Sequence, residues 1–253
     1  MKVIILCAGY GRRIGLEKPK CLLKIRNKTL LDRTLSLLKR NKIKKKDIKL
    51  ALGFKSDLIL KHTKRNFDYF KNKKFKKTNM VYSFFKCLNK TNYNNNILVL
   101  YGDIFYSNEI IKKIINAKGG IVTAVDKNWK KMWKIKNDLK EDLETLKIKK
   151  NRIINLGKKT NFHKNIDARF IGATKFSGYV LEFFIKFYSK KINEINNSKY
   201  LRLDMTNLLM ELIKKGFDLK YTNNKDLWFE FDNQKDVQLF KKYAGHNFIK
   251  KYK

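Results

Sequence analysis

Proline is nearly missing from this chain, one residue in 253, and acidic residues are few, 22 against 60 lysines and arginines. A single proline excludes a proline-rich linker or a stiff extended segment. Three cysteines, Cys7, Cys21 and Cys87, are an odd number without C-x-x-C spacing, which excludes a disulfide framework and argues against a zinc site. That usage fits a reducing cytoplasmic compartment. Long hydrophobic runs are missing too. The run Val3–Cys7 is followed within a few residues by Arg12 and Arg13, too short for a signal-peptide core. Nothing reaches the ~20 apolar residues of a membrane span, so no membrane partner is expected. His62, His163 and His246 stand apart from one another and suggest no ligand set.

The shortage of acid leaves a formal charge of +38, which ordinarily points to nucleic acid. The make-up of the excess weakens that reading. Of the 60 basic residues 51 are lysine and nine arginine, Asn reaches 26 and Ile 25, and Ala falls to seven. Residues with A/T-rich codons are in surplus and those with G/C-rich codons are depleted, so gene base composition accounts for the lysines. They are also scattered through every segment rather than gathered on one stripe among aromatics. A basic nucleic-acid-binding protein remains the alternative from another class, but no specific nucleic acid is expected as partner.

What is present is an alternation of apolar runs and amphipathic stretches. Residues 2–7 (KVIILC), 48–54, 97–101 (ILVLY) and 121–126 (IVTAVD) read as strands buried on both faces. Residues 29–40, 80–88 and 107–117 read as helices, the last capped by Ser107, with a further helix starting at Ser56-Asp57. From 127 to 165 the pieces become short, charged and alternating (KMWKIK, TLKIKK, RIINL), as in an antiparallel excursion. Strand returns over 168–176, helix over 178–190 and 203–215, strand over 226–232 and helix over 233–243. The pattern predicts one α/β domain over residues 1–253, a doubly wound, mostly parallel sheet with an antiparallel insertion over 127–177. In such sheets ligands bind beyond the carboxyl ends of the strands. Those ends are Ala8–Lys20, Gly102-Asp103, Asp126 and Asp232.

The first of them, Leu6-Cys7-Ala8-Gly9-Tyr10-Gly11-Arg12-Arg13, is a glycine-rich loop that brings backbone N–H groups close to an anion. It is not a dinucleotide fingerprint, because Ile14 stands where a third glycine is needed, and it is not a Walker A loop. It reads G-x-G-x-R, followed by Lys18-Pro19-Lys20 around the lone proline.

With these residues the chain resembles the sugar-nucleotidyltransferase superfamily, whose signature is L-A-A-G-x-G-x-R followed by K-P-K. The short gap between Arg13 and Lys20 is similar to that of its compact cytidylyltransferase branch, the choline-phosphate and phosphoglutamine enzymes. Further segments resemble the family in order: Asn79-Met80-Val81-Tyr82-Ser83, Tyr101-Gly102-Asp103, Ile154–Lys158, Phe170–Ser177 and Trp228-Phe229-Glu230-Phe231-Asp232. The resemblance implies a transferase that uses CTP and a small phosphorylated acceptor and releases pyrophosphate, phosphoglutamine being the sharper expectation, in capsular phosphoramidate synthesis. A hexose-1-phosphate or phosphocholine nucleotidyltransferase is the alternative within the class.

By the same resemblance Leu6, Ala8, Gly9, Tyr10, Gly11, Asn79, Ser83 and Gly102 would hold the nucleotide. Asp103 and Asp232 would bind Mg²⁺, Arg13 and Lys20 would meet the departing pyrophosphate, and Lys158 the incoming phosphate. For the acceptor, Trp129, Asp204 and Arg169 are candidates. Trp129 and Trp133 lie in the insertion, where a cation–π contact and plain packing are both open. Asp204 sits where choline-phosphate relatives face a cation, but is equally placed to cap the following helix. Arg169 stands where the family often has Glu, which suits an acceptor carrying a carboxylate. A monomer or homodimer is expected.

Overall fold

The computed structural model describes residues 1–9, 17–88, 95–136, 143–195 and 197–243. In chain order the strands are β1 Lys2–Cys7, β2 Lys24–Ile25, β3 Lys28–Thr29, β4 Ile48–Leu52, β5 Asp68–Lys71, β6 Ile97–Tyr101 and β7 Ile104–Phe105. They continue with β8 Ile121–Asp126, β9 Glu144–Lys149, β10 Arg152–Lys159, β11 Arg169–Phe176, β12 Leu219–Asn223 and β13 Phe229–Glu230. The helices are α1 Leu30–Arg40, α2 Ser56–His62, α3 Met80–Leu88, α4 Asn108–Asn116, α5 Trp129–Lys136, α6 Gly178–Ile192, α7 Ser198–Leu201, α8 Met205–Lys214 and α9 Gln234–Tyr243.

Nine strands form one mixed sheet in the order β5-β4-β1-β6-β11-β8-β12-β10-β9. The pairs β4–β5, β1–β4, β1–β6 and β8–β12 are parallel. Strand β11 runs antiparallel to both neighbours, and β10 antiparallel to β9 and β12. Alternate side chains enter two cores, one on each face. Val3, Ile5 and Leu50 pack with α1 and α4, while Ile4, Ala51 and Val99 pack with α3, α6 and α8. This is the α/β, doubly wound, largely parallel architecture that the apolar runs predict. Thr29 and Asp32 close a reciprocal capping box on α1, and the Ser107 hydroxyl accepts the Ile110 N–H to start α4. Among the described residues no helix is long and apolar enough to cross a membrane.

Three expectations are corrected. KMWKIK is helical, forming most of α5 rather than a strand, because Trp129 and Trp133, one turn apart, bury together at 1% and 4% exposure. The strand over 168–176 lies at the centre of the main sheet, not in a peripheral insertion. The strand expected over 226–232 reduces to β13, two residues paired with β7. Strands β5 and β12 fall in segments with no strand expectation.

Candidate active site

The chain leaves β1 toward β4 and β5, then returns to β6 on the other side of β1. Beyond the carboxyl ends of β1 and β6, at this reversal, lies a cavity of about 280 Å³. Its floor is formed by Leu6, Cys7 and Ala8 at the end of β1, and by Tyr101, Gly102 and Asp103 at the end of β6. Gly102 is required there. Its N–H donates to the Leu6 carbonyl at 3.0 Å, and a Cβ would come within 2.8 Å of both that carbonyl and the Cys7 Sγ. The far wall is the segment before α3. Asn72 donates through Nδ2 to the Thr78 Oγ1 and Ser83 Oγ, each at 2.9 Å, and its Oδ1 accepts the Lys74 N–H. The Cys7 thiol, hydrogen-bonded with Cys21 and buried, is held well above the usual thiol pKa, which removes it as a nucleophile.

Opposite this floor, β13 pairs with β7 so that Glu230 faces Ile104 and the Phe231 N–H reaches the Asp103 carbonyl at 3.4 Å. Strand alternation turns Phe229 and Phe231 into an aromatic cluster with Phe240, while Glu230 and Asp232 face the cavity. Asp103 and Asp232 are thereby brought together, and the Lys20 ammonium stands between them, 3.3 Å from Asp103 Oδ2 and 3.5 Å from Asp232 Oδ1. Burial works against the charged lysine, yet Asp103, Asp232 and Glu230 outweigh it and hold its pKa above the ordinary value. Burial, then the like charges of Asp232 and Asp103, push the Glu230 carboxyl up to about 8.

A second cavity of about 270 Å³ adjoins the first, and Met80, Tyr101, Glu230 and Asp232 line both. Its remaining wall includes Glu144, Leu156 and Gly157 of the β9–β10 hairpin, Arg169 and Gly172 of β11, and Asp204 and Thr206 at the start of α8. The Arg169 guanidinium lies over the Trp133 ring, 4.3 Å from its centroid. Asp204 does cap α8, accepting the Asn207 N–H at 2.8 Å, and its residue also lines the second cavity.

The sequence candidates distribute as follows. Leu6, Ala8, Gly9, Lys20, Asn79, Ser83, Gly102, Asp103 and Asp232 line the first cavity, and Arg169, Asp204 and Asp232 the second. Tyr10, Gly11 and Arg13 lie outside the described residues. Trp129 is in the core, edge-on to Trp133 and His163, and lines neither cavity. Lys158 is exposed and faces a shallow groove with Phe162 and Asn165, because a register shift between Leu156 and Lys159, with Gly157 at φ 84°, breaks the alternation that would put Lys158 on the Leu156 face. Asp126, flagged as a strand end, accepts from the Trp228 indole N–H at 3.0 Å and the Asn128 N–H at 2.7 Å. Glu230 is the residue that sequence reasoning passed over, although its place two residues before Asp232 puts it on the same strand face. Asn72 and Glu144 carried no sequence signal.

Among the described residues no three or more metal-ligating side chains cluster together. Two carboxylates with an ammonium already between them nevertheless suit a cation that takes its other oxygens from a ligand and water, which is how Mg²⁺ binds.

Residues 3–160 match the MobA-like NTP transferase domain family. The chain is 35% identical over 256 residues to CTP:phosphoglutamine cytidylyltransferase of Campylobacter jejuni, covering 94% of this chain and 98% of that protein. Among solved structures it is similar to the inositol-1-phosphate CTP transferase of T. maritima (TM-score 0.70, 18% identity, 96% of each chain). It is also similar to LicC, the CTP:phosphocholine cytidylyltransferase of Streptococcus pneumoniae (TM-score 0.69, 16% identity, 96% and 98% of the two chains).

Proposed function

This chain belongs to the MobA-like NTP transferase family, and on that footing we propose that it is a CTP:phosphoglutamine cytidylyltransferase that releases pyrophosphate. The observation that carries the reading is the meeting of Lys20, Asp103 and Asp232 where the two cavities join. A triphosphate lies in the first cavity, its phosphates toward Gly9 and Lys20, and the acceptor phosphate enters from the second. The 35% identity over nearly the full length of both proteins supports the choice of nucleotide and acceptor.

Two polyanions repel on approach, and the residues here oppose that repulsion. The backbone floor at Ala8 and Gly9 presents N–H groups to phosphate oxygens without a side chain in the way. The Lys20 ammonium, held protonated by its carboxylate neighbours, offsets charge building on the departing pyrophosphate. Asp103 and Asp232 would hold Mg²⁺, which supplies charge neutralisation and alignment of phosphate oxygens. The Lys20 ammonium, which Asp103 and Asp232 hold at 3.3 and 3.5 Å, would be free to face the phosphates if a cation took its place between them. The shared wall of Met80 and Tyr101 keeps the α-phosphate side of one cavity against the phosphate end of the other.

In the second cavity, Asp204 and Glu144 face the acceptor's ammonium and Arg169 its carboxylate. A guanidinium fixed over Trp133 gives bidentate, carboxylate-matched recognition and repels a choline head group. The test is pyrophosphate release across a matrix of nucleoside triphosphates with phosphoglutamine, phosphocholine, inositol 1-phosphate and hexose 1-phosphates. CTP with phosphoglutamine is expected to exceed every other pair in kcat/KM by at least tenfold. Equal use of phosphocholine, or a preferred hexose 1-phosphate, refutes the acceptor assignment.

A further inference from the structure

Asn233-Gln234-Lys235-Asp236 is a capping-box pattern, and α9 uses it. The Asn233 Oδ1 accepts the Asp236 N–H at 3.0 Å, and the Asp236 Oδ2 accepts the Asn233 N–H at 3.2 Å. Two further facts go beyond what a cap needs. The same Oδ2 accepts the Asp232 N–H, at 2.7 Å, its shortest bond. The other oxygen, Oδ1, faces the Lys136 ammonium at 3.2 Å, in a pair whose side chains are only 3% and 4% exposed. Helix caps ordinarily work with an exposed or neutral acceptor. Burying two ions costs desolvation of both, and such a pair is seldom explained by stability alone.

Lys136 comes from α5, far away in sequence, and it has a second bond here, to the Glu230 carbonyl at 3.1 Å. Its ammonium also lies over the rings of Phe229 and Trp133, at 4.9 and 5.5 Å from their centroids. The pair therefore grips the Glu230–Asp232 segment at both ends, by the carbonyl of one carboxylate-bearing residue and the N–H of the other. A carboxylate that must meet Asp103 across a short two-residue strand pairing has few other backbone bonds to fix it.

We propose that Lys136 and Asp236 are positioning residues that set the orientation of the Asp232 carboxylate for its cation. The inference rests on the reading of Asp103 and Asp232 as the metal-binding carboxylates. The aromatic cluster fixes the strand's inward face, and the ion pair fixes its backbone register. Removing the pair leaves the fold in place but lets the carboxylate wander by more than the narrow geometry of Mg²⁺ accepts.

The test is direct binding of Mn²⁺ in the presence of saturating CTP, followed by the paramagnetic resonance signal of the free aquo ion. Lys136→Met/Asp236→Asn discharges both partners, keeps an acceptor oxygen on residue 236 and so retains the fold; it is expected to bind Mn²⁺ at least tenfold more weakly than wild type. Asp236→Glu, a common capping-box acid, keeps the charge and the helix cap while moving the oxygen away from the Asp232 N–H. It decides the matter if the double variant loses its native near-ultraviolet circular dichroism, with the same tenfold loss expected. A folded variant of either kind that binds Mn²⁺ within twofold of wild type overturns the positioning role. Asp232→Asn separates this failure from failure of the metal reading: loss of Mn²⁺ binding there upholds the metal reading, whereas unchanged binding removes both.

Discussion

Replacing Lys20 by methionine probes the cavity's charge balance without changing its shape much. At 3.3 and 3.5 Å, each contact with Asp103 and Asp232 is worth about 5 kcal/mol of attraction at an effective dielectric of about 20. Most of this is offset by desolvating an ammonium that is only 15% exposed, leaving a net contribution of roughly 1–3 kcal/mol. In Lys20→Met the two aspartates and Glu230 face one another without that cation. For a chain of this length the loss lowers Tm by roughly 2–4 °C per kcal/mol, so a drop of about 2–12 °C is expected in metal-free buffer. Added Mg²⁺ takes the vacated place between the carboxylates and restores the variant, whereas in wild type it must first displace the lysine. The stabilisation by Mg²⁺ is therefore larger in Lys20→Met than in wild type, while kcat with CTP falls on the order of 10²-fold or more because the departing pyrophosphate loses its partner. Calorimetry with chelator and with excess Mg²⁺ reads the first pair of quantities. A variant as stable as wild type without metal, or no more responsive to Mg²⁺, refutes the balance.

Other substitutions probe separate parts of the site. Asp103→Asn and Asp232→Asn should each retain the wild-type circular dichroism and lower kcat on the order of 10³-fold; near-normal turnover by either contradicts its metal role. Arg169→Glu should invert the acceptor preference, with kcat/KM falling for phosphoglutamine and rising for phosphocholine; an unchanged ratio shows that the guanidinium takes no part in selection. Gly102→Ala forces a methyl to 2.8 Å from the Leu6 carbonyl and should cost roughly 1–3 kcal/mol in denaturant unfolding, together with weaker CTP binding. A Gly102→Ala protein with wild-type values for both would show that β1 and β6 can part there.

The sequence made legible what depends on local pattern. Apolar runs located β1, β4, β6 and β8 nearly to the residue, since strands buried on both faces have no polar alternation to blur them. The glycine loop, Gly102-Asp103 and Trp228–Asp232 were found because each ends a strand with small or charged residues. Other features depend on contacts between distant segments. α5 reads as alternating charge until Trp133 meets Trp129 and Trp228, which supply the apolar environment that makes a helix face of it, while the Arg169 guanidinium covers its ring. The central place of β11 comes from its pairing with β6 and β8, which no local pattern encodes. Lys158 was assigned by motif position, but the bulge between Leu156 and Lys159 breaks the alternation of β10 and turns its side chain away from the second cavity, and only register shows that. Glu230 was overlooked because a single acid between two phenylalanines looks like a solvent-facing residue until its face is known to close over two aspartates.

The reversed direction of β11 has an evolutionary consequence. Its neighbours β6 and β8 arrive at the ligand end of the sheet with their last residues, whereas β11 starts there with Arg169. The residues lining only the second cavity therefore come chiefly from the β9–β10 hairpin, the start of β11 and the start of α8, all after residue 143. Most of the first cavity is complete before residue 104, and only Glu230 and Asp232 are added later. Mutations can accumulate in the hairpin and at the mouth of β11 without touching the floor of the first cavity. A lineage built on this plan is free to remodel the second cavity while the first stays under separate selection.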